Sequence, residues 1–142
     1  METDVRRSAV PRVGCGAVIL RGSTILLLRR VNAPEAGAWG IPGGKVDPFE
    51  TVPDAVRREV EEETGLRLGQ LELLCVVDQI DRREREHWVA PAYLSVTFTG
   101  EARIREPAKH SGLEWFGLDA LPQPLTTPTV VALAALRARE GH

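Results

Sequence analysis

Glu59, Glu62 and Glu63 stand at i, i+3 and i+4 in the chain. On a helix this spacing brings three carboxylates to one face. Like charges that close repel, at a few tenths of a kcal/mol (roughly) per pair in an isolated helix. Such a cluster is easiest to rationalise around a cation. Oxygen ligands suit hard divalent ions, and Mg2+ commonly bridges a few carboxylates and substrate phosphates. The three acids close the segment GGKVDPFETVPDAVRREVEEETGL, from Gly43 to Leu66. Arg58 immediately precedes them, and Glu61 projects away from their face.

The surrounding sequence predicts the helix that must carry them. Thr51 caps it, Pro53 lies in its first turn, and Asp54 sits three residues beyond the cap. Val52, Ala55, Val56 and Val60 form an apolar stripe, and Gly65 ends the helix. Before it, Val13–Leu20 and Thr24–Arg29 read as a hairpin turning at Gly22. Trp39–Ile41 is a short extended piece because Pro42 disfavours helix before it. Gly43 and Gly44 read as a point of backbone freedom beside the helix. After it come strands at Leu68–Asp78, Trp88–Thr99 and Leu113–Phe116, with a short one at Glu101–Ile104. Gln79–His87 reads as a charged connection, and Pro91 predicts an edge strand or a bulge. Leu118–Pro124 reads as a 3₁₀-like turn. A final helix spans Thr127–Arg139, with Val130, Val131, Leu133, Ala134 and Leu136 as its packing positions. This order predicts a mixed α/β sandwich, a sheet covered by helices. Residues 1–12 read as a flexible N-terminal arm and 13–142 as a single domain.

Composition narrows the function classes. The 142 residues are enough for one domain that buries roughly two thirds of its unfolded surface. A net charge of -2 offers no basic field for a nucleic-acid polymer. No apolar run approaches the length of about 20 residues that spans a bilayer, and the N-terminus has no apolar signal region. Cys15 and Cys75 lack metal-ligand spacing and read as small buried hydrophobes. The simplest expectation is a reduced, cytoplasmic protein.

The segment fills every position of the Nudix box, G-x5-E-x7-R-E-U-x-E-E-x-G-U, in which U is a bulky aliphatic residue. Gly44, Glu50, Arg58, Glu59, Val60, Glu62, Glu63, Gly65 and Leu66 occupy the specified places. The chain therefore resembles the MutT-like Nudix hydrolases, and so long a gapped match is specific. The resemblance implies an α/β/α sandwich with a mixed sheet and a catalytic Nudix helix. It implies hydrolysis of pyrophosphate linkages with Mg2+, or Mn2+ as a substitute. Glu59, Glu62 and Glu63 are the expected metal ligands, joined by the carbonyls of Gly43 and Gly44. Glu59 is the expected general base, with some family members using a glutamate outside the box. Arg58 and Glu50 are the expected supporting ion pair, Gly65 frees the chain to leave the helix, and Lys45 is placed to neutralise a phosphate oxygen.

Substrate identity lies outside the box. Trp39 is a candidate for stacking on a base, with core packing as the ordinary alternative. His87 and Trp88 are candidates at the start of a strand beside the cleft, with an exposed edge as the alternative. The Asp81–Glu86 run reads as a solvated loop within reach of substrate, and Glu106 as either an extra metal ligand or a surface residue. Ile80–Asp81–Arg82 occupies the region where many ADP-ribose hydrolases carry a proline. Gly37–Ala38–Trp39 and Glu114–Trp115–Phe116 resemble small nucleoside triphosphate pyrophosphohydrolases, which release a nucleoside monophosphate and pyrophosphate. The alternatives are hydrolysis of ADP-ribose or a nucleotide sugar, and a non-catalytic nucleotide-sensing module. A small nucleotide is the expected partner, without membrane, and a homodimer is compatible with the family.

Overall fold

β1 (Arg12–Arg21) is the spine of the fold, buried on both faces from Gly14 to Leu20. The structure, a computed structural model, describes residues 10–140. β1 turns through Gly22 into β2 (Thr24–Arg30), pairing Leu20 with Ile25 and Arg21 with Thr24. Gly22 takes a φ of 60°, the left-handed region that glycine enters without penalty. On its other edge β1 pairs in parallel with β7 (Glu86–Ser95). β6 (Glu72–Asp81) flanks β7, and β3 (Trp39–Gly40) flanks β2, so the sheet runs β3-β2-β1-β7-β6. β4 (Gly43–Lys45) also pairs with β1, and β9 (His110–Gly117) with β2. β5 (Arg67–Leu68) and β8 (Phe98–Thr99) form a separate two-stranded ribbon.

One helix covers each face. α1 (Val52–Thr64) packs Ala55, Val56 and Val60 onto Cys15, Ala17, Ile19 and Leu26. α2 (Thr127–Glu140) packs Ala132, Leu133 and Leu136 onto Val18, Leu20, Ile25 and Leu27. The two-residue period of β1 sends alternate side chains to the two helices. Each fully buried aliphatic side chain contributes about 1.5–3 kcal/mol. The result is the expected α/β/α sandwich with a mixed sheet.

Several boundaries differ from the sequence reading. The expected arm lies, for residues 1–9, outside the described residues, and Arg12 already belongs to β1. The expected strand Leu68–Asp78 is split into β5 and β6, because Gly69 and Gln70 turn to bond with Thr97. The charged connection Gln79–His87 is mostly strand, and β6 and β7 meet at the pair Asp81↔Glu86. Pro91 lies in β7, a central strand and not an edge. The β1–β7 register passes from Val13↔Val89 to Gly16↔Ala92 without pairing at Pro91, and β6 bulges nearby between Leu73 and Cys75. Glu101–Ile104 is not a strand, and Leu118–Pro124 is turn and bend without a 3₁₀ segment. In α2 the inward stripe is Thr129, Ala132, Leu133 and Leu136, while Val130, Val131 and Ala134 are exposed. Spacing of i, i+3, i+4, i+7 decides that face, and residue type alone misplaces it.

Phe49 is fully solvent-exposed and has a φ of 67°, a conformation that costs a bulky L-residue about 1–2 kcal/mol. Phe49→Gly is expected to raise stability by about 0.5–1 kcal/mol, since strain is released and no packing is lost. Urea denaturation at constant slope measures this; a lowered midpoint would show that Phe49 makes contacts in solution that outweigh the strain.

Candidate active site

Arg58 organises the site from the side of α1. Its Nε and Nη2 form a bidentate pair with the two carboxylate oxygens of Glu50, at 2.7 and 2.9 Å. Nη2 also donates to the Lys45 carbonyl at 3.0 Å and lies 3.4 Å from Asp47. Nη1 faces Glu59 at 3.3 Å and Glu62 at 3.5 Å. One planar guanidinium thus ties the β4–α1 loop to the acids of the helix. The Arg58 hydrogen bonds pull Glu50 down to about 2 and push the guanidinium further up.

The structure divides the three helical acids by depth. Glu63 is buried, and its Oε1 accepts a hydrogen bond of 2.8 Å from the Gly43 N–H. Burial pushes its carboxyl up to about 8, opposed by that hydrogen bond and reinforced by Glu59 and Glu106. Glu59 is largely covered, and burial raises its proton affinity too, against the pull of Arg58. Glu62 lies half-exposed at the rim. Glu61 points elsewhere and pairs with Arg67 at 2.9 Å. Gly65 closes the helix in the left-handed conformation, φ 83°, its N–H donating to the Glu61 carbonyl.

Gly43 and Gly44 work differently from the sequence reading. Neither has a positive φ; both lie in β4, paired with Gly16 and Cys15 of β1. What they supply is space. A Cβ on Gly43 would fall 2.1 Å from the Cys15 carbonyl oxygen, and one on Gly44 would fall 2.2 Å from the Glu59 carboxyl carbon. Bare Gly44 lets the Glu59 carboxylate lie against the strand, and bare Gly43 lets the strand lie close to β1. Cys15 is a free, buried thiol, pushed up to about 11 by burial.

Beside these acids runs a cleft of about 900 Å³. Gly43, Gly44, Lys45 and Glu63 line one end, and Asp81, Glu84, Glu86 and Trp88 line another part. Trp88 and His87 therefore part company, as neighbours on a strand must. Trp88 lines the cleft with the Arg12 guanidinium 5.7 Å above its ring, whereas His87 is not among the lining residues and faces Asp78 at 3.6 Å. Trp39 is not at the cleft either: it packs edge-on against Phe116, 4.9 Å between centroids, closing the α2 core. The expected Asp81–Glu86 loop shrinks to a tip at 82–85.

Glu106 is half-buried and approaches Glu63, and His110 joins them. His110 is absent from the sequence reading. Its Nε2 lies 3.4 Å from Glu63, and burial lowers its proton affinity. A signal for it existed: Glu106 and His110 stand at i and i+4, and the His110 N–H donates to the Glu106 carbonyl at 3.1 Å, as in one helical turn.

These groups fit a hard divalent cation. Acid outnumbers base around Arg58, Glu63 is buried without a matching cation, and the Oε1 of Glu106 is buried with no hydrogen-bond partner. Carboxylate oxygens at this density suit Mg2+ or Mn2+.

A family model described as a NUDIX domain matches residues 10–136. A Mycobacterium tuberculosis protein described as putative 8-oxo-dGTP diphosphatase 2 is 48% identical over 106 residues, 72% of this chain and 70% of the relative. A Methanocaldococcus jannaschii protein described as ADP-ribose pyrophosphatase is 37% identical over 113 residues, covering 80% of this chain. The chain spans 66% of that relative's length. A crystal structure of a MutT NUDIX hydrolase from Burkholderia pseudomallei matches with a TM-score of 0.88 and 58% identity, covering 89% of this chain and 98% of that one.

The two glycines should separate stability from function. Gly43→Ala drives a methyl into the β1 backbone and is expected to destabilise by about 2 kcal/mol or more. Gly44→Ala meets only the end of the Glu59 side chain; it should leave Tm nearly unchanged while lowering kcat about 100-fold by displacing that carboxylate. Equal losses of Tm in both would refute the assignment of Gly44 to Glu59.

Glu63 gives a pH dependence of known sign. Its folded pKa, about 8, exceeds the value of 4.5 taken for the unfolded chain. The folded state then holds a proton that the unfolded state releases, so cation-free stability should fall as pH rises from about 4.5 to about 8. Thermal melts in EDTA check this, and Glu63→Gln should flatten the decline. Added Mg2+ should raise Tm more at pH 8 than at pH 5.5.

Proposed function

Because the chain belongs to the NUDIX domain family, we propose that it hydrolyses the pyrophosphate linkage of a nucleoside triphosphate, releasing a nucleoside monophosphate and pyrophosphate. The observation that carries this reading is the acid set Glu59, Glu62 and Glu63 on one helix face, with Arg58 beside Glu59 and Glu62 and with Glu63 lining the cleft. Glu59, Glu62 and Glu63 would hold Mg2+, with the backbone of Gly43 and Gly44 beside them and Glu106 within reach of Glu63. When bound, the ion neutralises phosphate charge and lowers the pKa of a water.

The chain's own groups do the rest. Glu59 takes the proton from the attacking water as general base. Arg58 holds that carboxylate at 3.3 Å while Glu50 and Asp47 hold Arg58. Lys45, lining the same end, meets a phosphate oxygen. Lys45 draws the polyphosphate toward its own end of the cleft, which leaves the base to face Trp88. Carboxylates there accept from the amino and ring N–H groups of a purine, and the indole offers a stacking face.

The 48% identity to a putative 8-oxo-dGTP diphosphatase supports a triphosphate, including an oxidised one. The 37% identity to an ADP-ribose pyrophosphatase favours a second reading, ADP-ribose, at the same site.

Assays with Mg2+ on dGTP, 8-oxo-dGTP and ADP-ribose test the proposal. A triphosphate should give the highest kcat/KM, with pyrophosphate and not phosphate as product; preferred ADP-ribose turnover would transfer the conclusion to the second reading. Glu59→Gln should lower kcat by about 10²–10⁴ with the fold intact. Trp88→Ala should raise KM with smaller change in kcat, and an unaltered KM would remove Trp88 from the substrate site.

A further inference from the structure

We propose that His110 supplies a nitrogen donor to a mixed oxygen–nitrogen cation position formed with Glu63 and Glu106, and that this position prefers Zn2+ or Co2+ to Mg2+. The inference rests on the proposed metal-binding face, because Glu63 is common to both.

Three independent side chains converge here. One ligand atom from each of Glu63, Glu106 and His110 lies within 4.8 Å of the others. Donors bound at about 2.0–2.2 Å from an ion stand roughly 3–4 Å apart, so a small side-chain closure completes the position. The Nε2 of His110 is already 3.4 Å from Glu63. His110 is 7% exposed, and among the described residues neither its Nδ1 nor the buried Oε1 of Glu106 has a hydrogen-bond partner. A buried polar atom left unpaired is costly, and a cation bound here would remove that cost at the Oε1 of Glu106. Lys109 holds the other Glu106 oxygen at 3.5 Å, from the solvent side, and leaves Oε1 free for the interior.

Donor chemistry selects the ion. An all-carboxylate set suits Mg2+, which takes oxygen ligands and keeps much of its water. Imidazole nitrogen suits Zn2+ and other later first-row ions, and affinity rises along that series for a mixed set. One nitrogen thus gives an otherwise hard site a preference that the three helical glutamates alone would not have.

The test uses the full, untagged chain stripped with EDTA. Zn2+ is added to protein labelled with ¹⁵N at histidine, and the imidazole resonances of the three histidines are followed. The His110 signals should shift on stoichiometric Zn2+ and not with equimolar Mg2+, with His87 and His142 as internal references. Visible spectra on Co2+ titration should show d–d bands, and His110→Asn should weaken Co2+ binding about 10-fold or more. If that variant fails to fold, the wild-type spectrum decides alone. Unmoved His110 resonances, or a Co2+ affinity unchanged by His110→Asn, would overturn the proposal. These readouts need no substrate. A chain that binds Zn2+ through His110 but hydrolyses no nucleotide with Mg2+ would support the nitrogen donor and refute the hydrolase reading; the reverse result would do the opposite.

Discussion

The site depends on one guanidinium holding several acids at once. Arg58 has five N–H donors in a fixed plane, and Glu50 takes two of them side by side. That leaves Nη1 facing Glu59 and Glu62, with the Lys45 carbonyl held from behind. A lysine at this place would offer one point charge and could not fix the loop and the helix together. The β4–α1 loop, the start of β4's exit and the exposed edge of α1 all take their relative positions from this side chain.

Glycine is the other half of the arrangement. α1 can lay Glu59 against β4 only because Gly44 has no Cβ at the contact, and Glu63 meets the same strand through the Gly43 N–H. The cost is electrostatic: Glu63 is enclosed beside Glu59 and Glu106, and its carboxyl is driven toward neutrality. A fold selected for stability alone would place an apolar residue there. The acids are retained where they are unfavourable, which is the usual mark of a site built for something that arrives later.

Much of this was legible in the chain, and the rest was not for identifiable reasons. The helix from Val52 to Thr64, its Thr51 cap and its Gly65 terminus follow from local rules and could be read directly. The depth order of Glu63, Glu59 and Glu62 could not, because it depends on where β4 passes. Gly43 and Gly44 were assigned flexibility when they supply room, a distinction that only their neighbours make. Trp39 and Trp88 look alike in sequence, but Phe116 claims the first and the cleft the second. His110 is hard to single out in the chain because its partner Glu63 is remote and the Glu106–His110 spacing of i, i+4 lies outside any regular helix.

The segment before β9 also carries a burden at the end of α1. Arg103 and Arg105 donate their backbone N–H groups to the Thr64 and Glu63 carbonyls, and the Arg105 guanidinium reaches the Glu61 carbonyl. The two backbone bonds occupy carbonyls that the last turn of α1 leaves free, while the Glu61 carbonyl takes the guanidinium beside the Gly65 N–H. Glu106 is thereby measured off from the helix end, residue by residue. Insertions between Gly100 and Glu106 would put the chain out of step with α1. The inner end of the cleft is thereby metrically fixed by the terminus of α1.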